Sequence, residues 1–133
     1  MTGVVNTRGH RGLVAWQKAM ELVTEIYRIT RDFPRDELYG LVSQLRRAAV
    51  SVPSNLAEGY GRNSRNEFHQ FVGVARGSLA EIETQIEIAK NLHYVSEESS
   101  SELLSRVDEV GRLLTGLRAW SAKAGHQQLG ASS

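Results

Sequence analysis

The sequence predicts an all-α chain folded as an antiparallel, up-down-up-down four-helix bundle, and three observations carry that prediction. Apolar residues recur every three or four positions in four separate stretches, the spacing that gathers side chains on one face of a helix. The links between the stretches are short, which sets consecutive helices side by side and antiparallel. Aromatic residues make up only 7% of the chain and proline occurs twice, a composition that disfavours a sheet sandwich. Nothing reads as a strand, and the 133 residues suit one domain.

Residues 1–12, MTGVVNTRGHRG, mix glycine, threonine and basic residues without periodicity and read as a flexible arm ahead of a bundle over 13–124. The first helix is expected from about Leu13 to Thr30, with Trp16, Ala19, Met20, Val23, Ile26, Tyr27 and Thr30 as its buried stripe. Phe33-Pro34 ends it, because the residue before a proline is pushed out of helical geometry. The second helix is expected from near Asp36 to near Glu58. Asp36 and Glu37 suit the positive end of the helix dipole, and Leu41, Leu45, Ala48, Ala49, Val52 and Leu56 form the stripe. Gly59-Tyr60-Gly61 reads as its stop. Pro53 lies inside this helix and should kink or split it, since proline removes one backbone hydrogen bond and clashes with the carbonyl four residues back.

Ser64 and Glu67 have the spacing of a capping box and start the third helix, which should reach about His93. Phe68, Val72, Ala75, Leu79, Ile82, Ile86 and Ala89 alternate steps of four and three, a repeat of about 3.5 residues that implies left-handed packing. Gly73 and Gly77 sit inside the helix and should be offset by a close backbone contact. A break at Gly77 with a restart at Ser78 is the alternative, and the unbroken apolar repeat argues against it. Ser96 caps a fourth helix whose stripe, Leu103, Val107, Val110, Leu114 and Leu117, runs to about Lys123. Residues 125–133, GHQQLGASS, read as a disordered tail.

Several function classes drop out. The absence of cysteine excludes disulfides and thiolate metal sites. No apolar run approaches the ~20 residues needed to cross a bilayer, and the N-terminus lacks the apolar segment of a signal peptide. The chain therefore reads as cytoplasmic, with no membrane partner. A carboxylate di-metal centre in a bundle needs histidines one turn after glutamates. None of His10, His69, His93 and His126 has that spacing, and Glu67 is only two residues before His69. No metal and no cofactor is expected. Hydrolase elbows, zinc-protease motifs and phosphate loops are missing, and Ser51 has no histidine near it in sequence to activate it. No enzyme activity is expected.

Charge and polarity are more informative. The net charge is only +1, but residues 43–77 hold Arg46, Arg47, Arg62, Arg65 and Arg76 against Glu58 and Glu67, whereas residues 78–102 hold six glutamates against Lys90. That separation either steers an anionic partner to one face or marks two solvated helix surfaces of opposite sign. Beside the apolar stripe of the second helix runs a polar one, Gln44, Arg47, Ser51, Asn55 and Glu58. Ser78, Glu81 and Gln85 match it on the third. In one reading the stripes meet in a buried network that sets helix register, with Arg47 pairing Glu81 or Asn55 serving backbone freed by Pro53. In the other they open to solvent or to a partner subunit.

The order W..AMEL…Y, then FP.DELYGL.SQLRRAAVSVPSNLAEGYGR, then EF..F…ARGSLAE.ET resembles the four-helix-bundle proteins named for the intervening sequences of bacterial 23S ribosomal RNA genes. The resemblance spans roughly Val14 to Lys123 and extends to a related branch, the accessory protein of diversity-generating retroelements. It implies a bundle, a homopentameric ring, no known catalysis, and nucleic-acid binding through a basic surface. Its signature positions here are Pro34, Gln44, Arg46, Arg47, Ser51, Pro53, Asn55, Glu58, Gly59, Gly77, Ser78 and Glu81. The expectation is thus a non-enzymatic oligomer that binds RNA or DNA through phosphate contacts from Arg46, Arg47, Arg62, Arg65 and Arg76. The alternatives are a protein-interaction scaffold using Tyr39, Tyr60 and Phe71, and a small-molecule pocket around Pro53 and the polar stripe.

Overall fold

The computed structural model describes residues 9–132, with side chains to residue 122. Four α-helices follow a short turn of 3-10 helix at Gly9–Gly12: α1 (Val14–Thr30), α2 (Ser43–Tyr60), α3 (Arg65–Asn91) and α4 (Glu97–Ser132). No strand occurs among the described residues. Each helix packs on the next in sequence, and α4 returns to α1. Every stripe residue expected on α3 is buried, from Phe68 through Val72, Ala75, Leu79, Ile82 and Ile86 to Ala89. On α4 the stripe of Leu103, Val107, Val110 and Leu114 is buried as well. The α4 backbone helix does not stop near Lys123 but runs on to Ser132.

The α1 face is rotated from the expected one. Ala15, Ala19, Leu22 and Ile26 are buried, while Met20 and Tyr27 are each 41% exposed. Small alanines bring the α1 backbone close to its neighbours, and the bulkier residues lie along the rim. Thr30 is buried as expected, its hydroxyl donating to Ile26 O at 2.7 Å.

Segment 35–42 is less regular than the sequence predicts. A 3-10 turn at Arg35–Glu37 and a π-turn at Leu38–Val42 precede α2, and Gly40 takes a non-helical conformation (φ −108°, ψ −108°). Glu37 holds this corner. Its carboxylate accepts from Leu41 N at 3.1 Å and from the Tyr94 hydroxyl at 2.9 Å. A side chain at Gly40 would bring its Cβ within 2.9 Å of Glu37 Oε1, so glycine leaves room for the cap. Pro53 lies buried inside α2 without splitting it, and the irregular backbone of this region is at Gly40 instead.

The expected stop at Gly59-Tyr60-Gly61 holds, since α2 ends at Tyr60 with Gly61 as its C-cap, while Gly59 itself is a close-packing residue inside the helix. A Cβ there would lie 2.6 Å from Phe71 Cβ and 3.2 Å from Phe68 Cδ1 on α3. Gly73 is covered by the Arg118 guanidinium and Gly77 faces open space, so neither makes the close backbone contact expected of it. Helix α3 passes both without a break. Its start follows the capping rule, with Glu67 N donating to Ser64 Oγ at 3.1 Å, and Ser96 caps α4 in the same way through Ser99 N at 3.0 Å.

Candidate nucleic-acid interface

The polar stripes of α2 and α3 meet in part. The Ser51 and Ser78 hydroxyls lie 2.8 Å apart, and Asn55 Nδ2 donates to Ser51 O at 2.8 Å and to Ser51 Oγ at 2.9 Å. Asn55 thus serves the Ser51 carbonyl, not the Ala49 carbonyl that Pro53 leaves without its usual donor. Nearer the rim, Gln85 Nε2 reaches Gln44 Oε1 at 3.5 Å, while Gln85 Oε1 is buried with no partner. Positions 44, 51 and 59 rise along α2 as their counterparts 85, 78 and 71 fall along α3. The rest of the stripe points away. Arg47 and Glu81 form no ion pair; both are exposed. Glu58 is also exposed and pairs with Arg62, in the turn just after α2, at 2.8 Å.

The five arginines do not form one surface. Arg46 is folded onto α1: Nε donates to Thr30 Oγ1 at 2.9 Å, Nη2 to Tyr27 O at 3.3 Å, and the guanidinium sits 4.5 Å over the Tyr27 ring. These contacts clasp α1 to α2. Arg47 lies beside it in a groove with Leu38, Tyr39 and Val50. Arg76 lies elsewhere, in a shallow groove between α3 and α4 that also holds Glu83, Asp108 and Arg112, so acids match its charge locally.

Arg62 and Arg65 come together at the α2–α3 turn. Arg62 lies 5.0 Å over Phe71 and Arg65 lies 4.1 Å over Trp120. Stacking holds a guanidinium by its face; Arg62 Nη2 also donates to Glu58 Oε2 at 2.8 Å, whereas Arg65 forms no ion pair among the described residues. Around them a groove of about 570 Å³ opens at this end of the bundle, and among the described residues Arg62 and Arg65 are the only charged ones in its wall. Tyr60 and Trp120, 48% and 47% exposed, flank it. Periodicity does not flag Trp120, which lies off the buried stripe of α4. The available signal is composition: it is one of only two tryptophans, and it is half exposed.

Nearby, His69 is a structural histidine. Ser121 Oγ spends its proton on Leu117 O at 2.8 Å, so the His69 Nδ1–H donates to Ser121 Oγ at 2.9 Å. With Ser121 fully buried, the pair joins α3 to α4 and offers no nucleophile. Among the described residues no group of three or more histidines, aspartates or glutamates is placed to hold a metal ion, and no helix is long and apolar enough to cross a membrane.

Comparison with known proteins agrees with this architecture. A family model described as 23S rRNA-intervening sequence protein matches residues 11–116. Among solved structures, a protein of unknown function from the S23 ribosomal protein family of Bacteroides thetaiotaomicron VPI-5482 superposes with a TM-score of 0.72 at 20% identity. The match covers 79% of this chain and 98% of that one. At that identity the likeness speaks to fold alone. No curated protein matches the chain.

Proposed function

The chain belongs to the 23S rRNA-intervening sequence protein family, and from that premise we propose that it is a non-enzymatic helical module that binds RNA or DNA through phosphate contacts at one end of its bundle. The observation that carries the reading is Arg65 laid over Trp120, with Arg62 over Phe71 and paired with Glu58, beside a groove with no acid among the described residues of its wall. Arg47, exposed and without an ion pair among the described residues, is a second contact on the flank. The left-handed, up-down-up-down order implied by the apolar repeat, the kinship with retroelement accessory proteins and a cytoplasmic setting belong to the same proposal. Affinity resting on phosphates falls steeply with salt and shows little sequence preference. Titrating labelled RNA and DNA at low and physiological salt tests this, and no binding at low salt removes it.

A second surface favours self-association. Tyr39 is 92% exposed, with Leu38 at 45% and Val50 at 40% beside it in one groove. Apolar side chains grouped this openly suit a subunit contact, and the family resemblance implies a pentamer. In a ring, one modest cationic end per subunit is multiplied by avidity. Light scattering on a sizing column separates monomer from ring, and Tyr39→Glu is expected to dissociate the ring.

A further inference from the structure

The bundle-end groove has features that phosphate contacts alone do not use. Its floor is Phe68, 6% exposed. Tyr60 and Trp120 each stand nearly perpendicular to that ring, with interplanar angles of 89° and 77° and centroids 6.3 and 6.2 Å from it. Two aromatic walls therefore rise from an apolar floor, and both remain about half exposed. The turn adds Asn63, whose amide can both donate and accept at the edge of a planar ligand. The cations at the mouth are Arg65 and Arg62, the latter paired with Glu58 at 2.8 Å, and no carboxylate among the described residues lines the wall.

We infer that this groove is a stacking slot for an unpaired nucleobase, whose adjoining phosphates are held by Arg62 and Arg65. The inference rests on the nucleic-acid reading above and narrows it to single strands. A flat ring with an anionic linker satisfies both halves of the site: the base covers an aromatic face, and the phosphate meets the guanidinium N–H groups at the mouth. An acidic peptide would satisfy the arginines but leave the ring faces uncovered. Bases inside a duplex have both faces occupied by their neighbours, so a duplex can meet only the arginines. Arg65 now lies over Trp120; an entering base takes that face and turns the guanidinium toward its phosphate.

The test uses Trp16→Phe protein, in which Trp120 is the sole tryptophan. A short oligo(U) strand and a duplex of equal length are titrated at the same salt, with binding followed by anisotropy and Trp120 emission. The slot predicts quenching by the single strand and affinity for it about tenfold or more above the duplex. It also predicts that Trp120→Ala loses about tenfold for the single strand and little for the duplex, while Trp120→Phe keeps most of the affinity. Equal binding of strand and duplex with unchanged emission overturns the slot and leaves the phosphate-contact reading standing. Absence of binding by either probe at low salt overturns both.

Discussion

At one end of the bundle the α1–α2 and α3–α4 turns close on each other. Phe33, 8% exposed, lies 5.5 Å from the Tyr94 ring, and the Tyr94 hydroxyl reaches the same Glu37 that caps the start of the next helical segment. At the other end, around the α2–α3 turn, Tyr60 and Trp120 are left half open beside Arg62 and Arg65. Both ends carry aromatic rings. What differs is whether a second turn arrives to cover them. Where it does, polar groups find internal partners and the end contributes stability. Where it does not, oriented groups stay available to something else.

Stability variants sharpen this contrast. Phe33→Ala at the closed end should cost about 3–5 kcal/mol in chemical denaturation, the usual range for emptying a buried phenylalanine site. Trp120→Ala at the open end should cost clearly less, and equal losses would erase the distinction. Next in size is Gly59→Ala, where a Cβ 2.6 Å from Phe71 Cβ forces α2 and α3 apart. A loss of about 1–3 kcal/mol is expected despite the gain in helix propensity. Gly77→Ala meets nothing within 4 Å and should instead stabilise by about 0.5–1 kcal/mol.

The smallest effect is pH-dependent. The Tyr94 hydroxyl is raised above the usual tyrosine range, first by its hydrogen bond to Glu37 and then by burial and nearby carboxylates. A raised pKa in the folded state means that the stabilising contact is fully present below the unfolded value of about 10 and is lost as pH rises through the folded one. Thermal melts should therefore show an alkaline decline that Tyr94→Phe weakens.

The legible parts of this fold are those set by local periodicity. The α3 stripe and the Ser64 and Ser96 caps could be read because each depends on residues within one or two turns. The α1 face was harder, because alanines define its buried side and a pattern weighted toward large apolar residues selects Met20 and Tyr27. Gly40 was hidden by the stronger signal of Pro53. The site was legible only in outline. Arg46 and Arg65 look alike in sequence, and their roles diverge through contacts 16 and 55 positions away, with Thr30 and Trp120. Likewise Glu58 and Ser51 share one stripe, yet only Ser51 lies far enough inward to meet α3.

The open end is tested most directly by anisotropy titration of a labelled single-stranded RNA at several salt concentrations, comparing Arg62→Gln/Arg65→Gln with Arg47→Gln/Arg76→Gln. Loss of two phosphate contacts at the end should flatten the logarithmic salt dependence by about 1.4 and weaken binding. The flank pair, which lies outside the bundle-end groove, should change both much less. Equal effects from the two pairs, or none from the end pair, would contradict the assignment of binding to the α2–α3 turn.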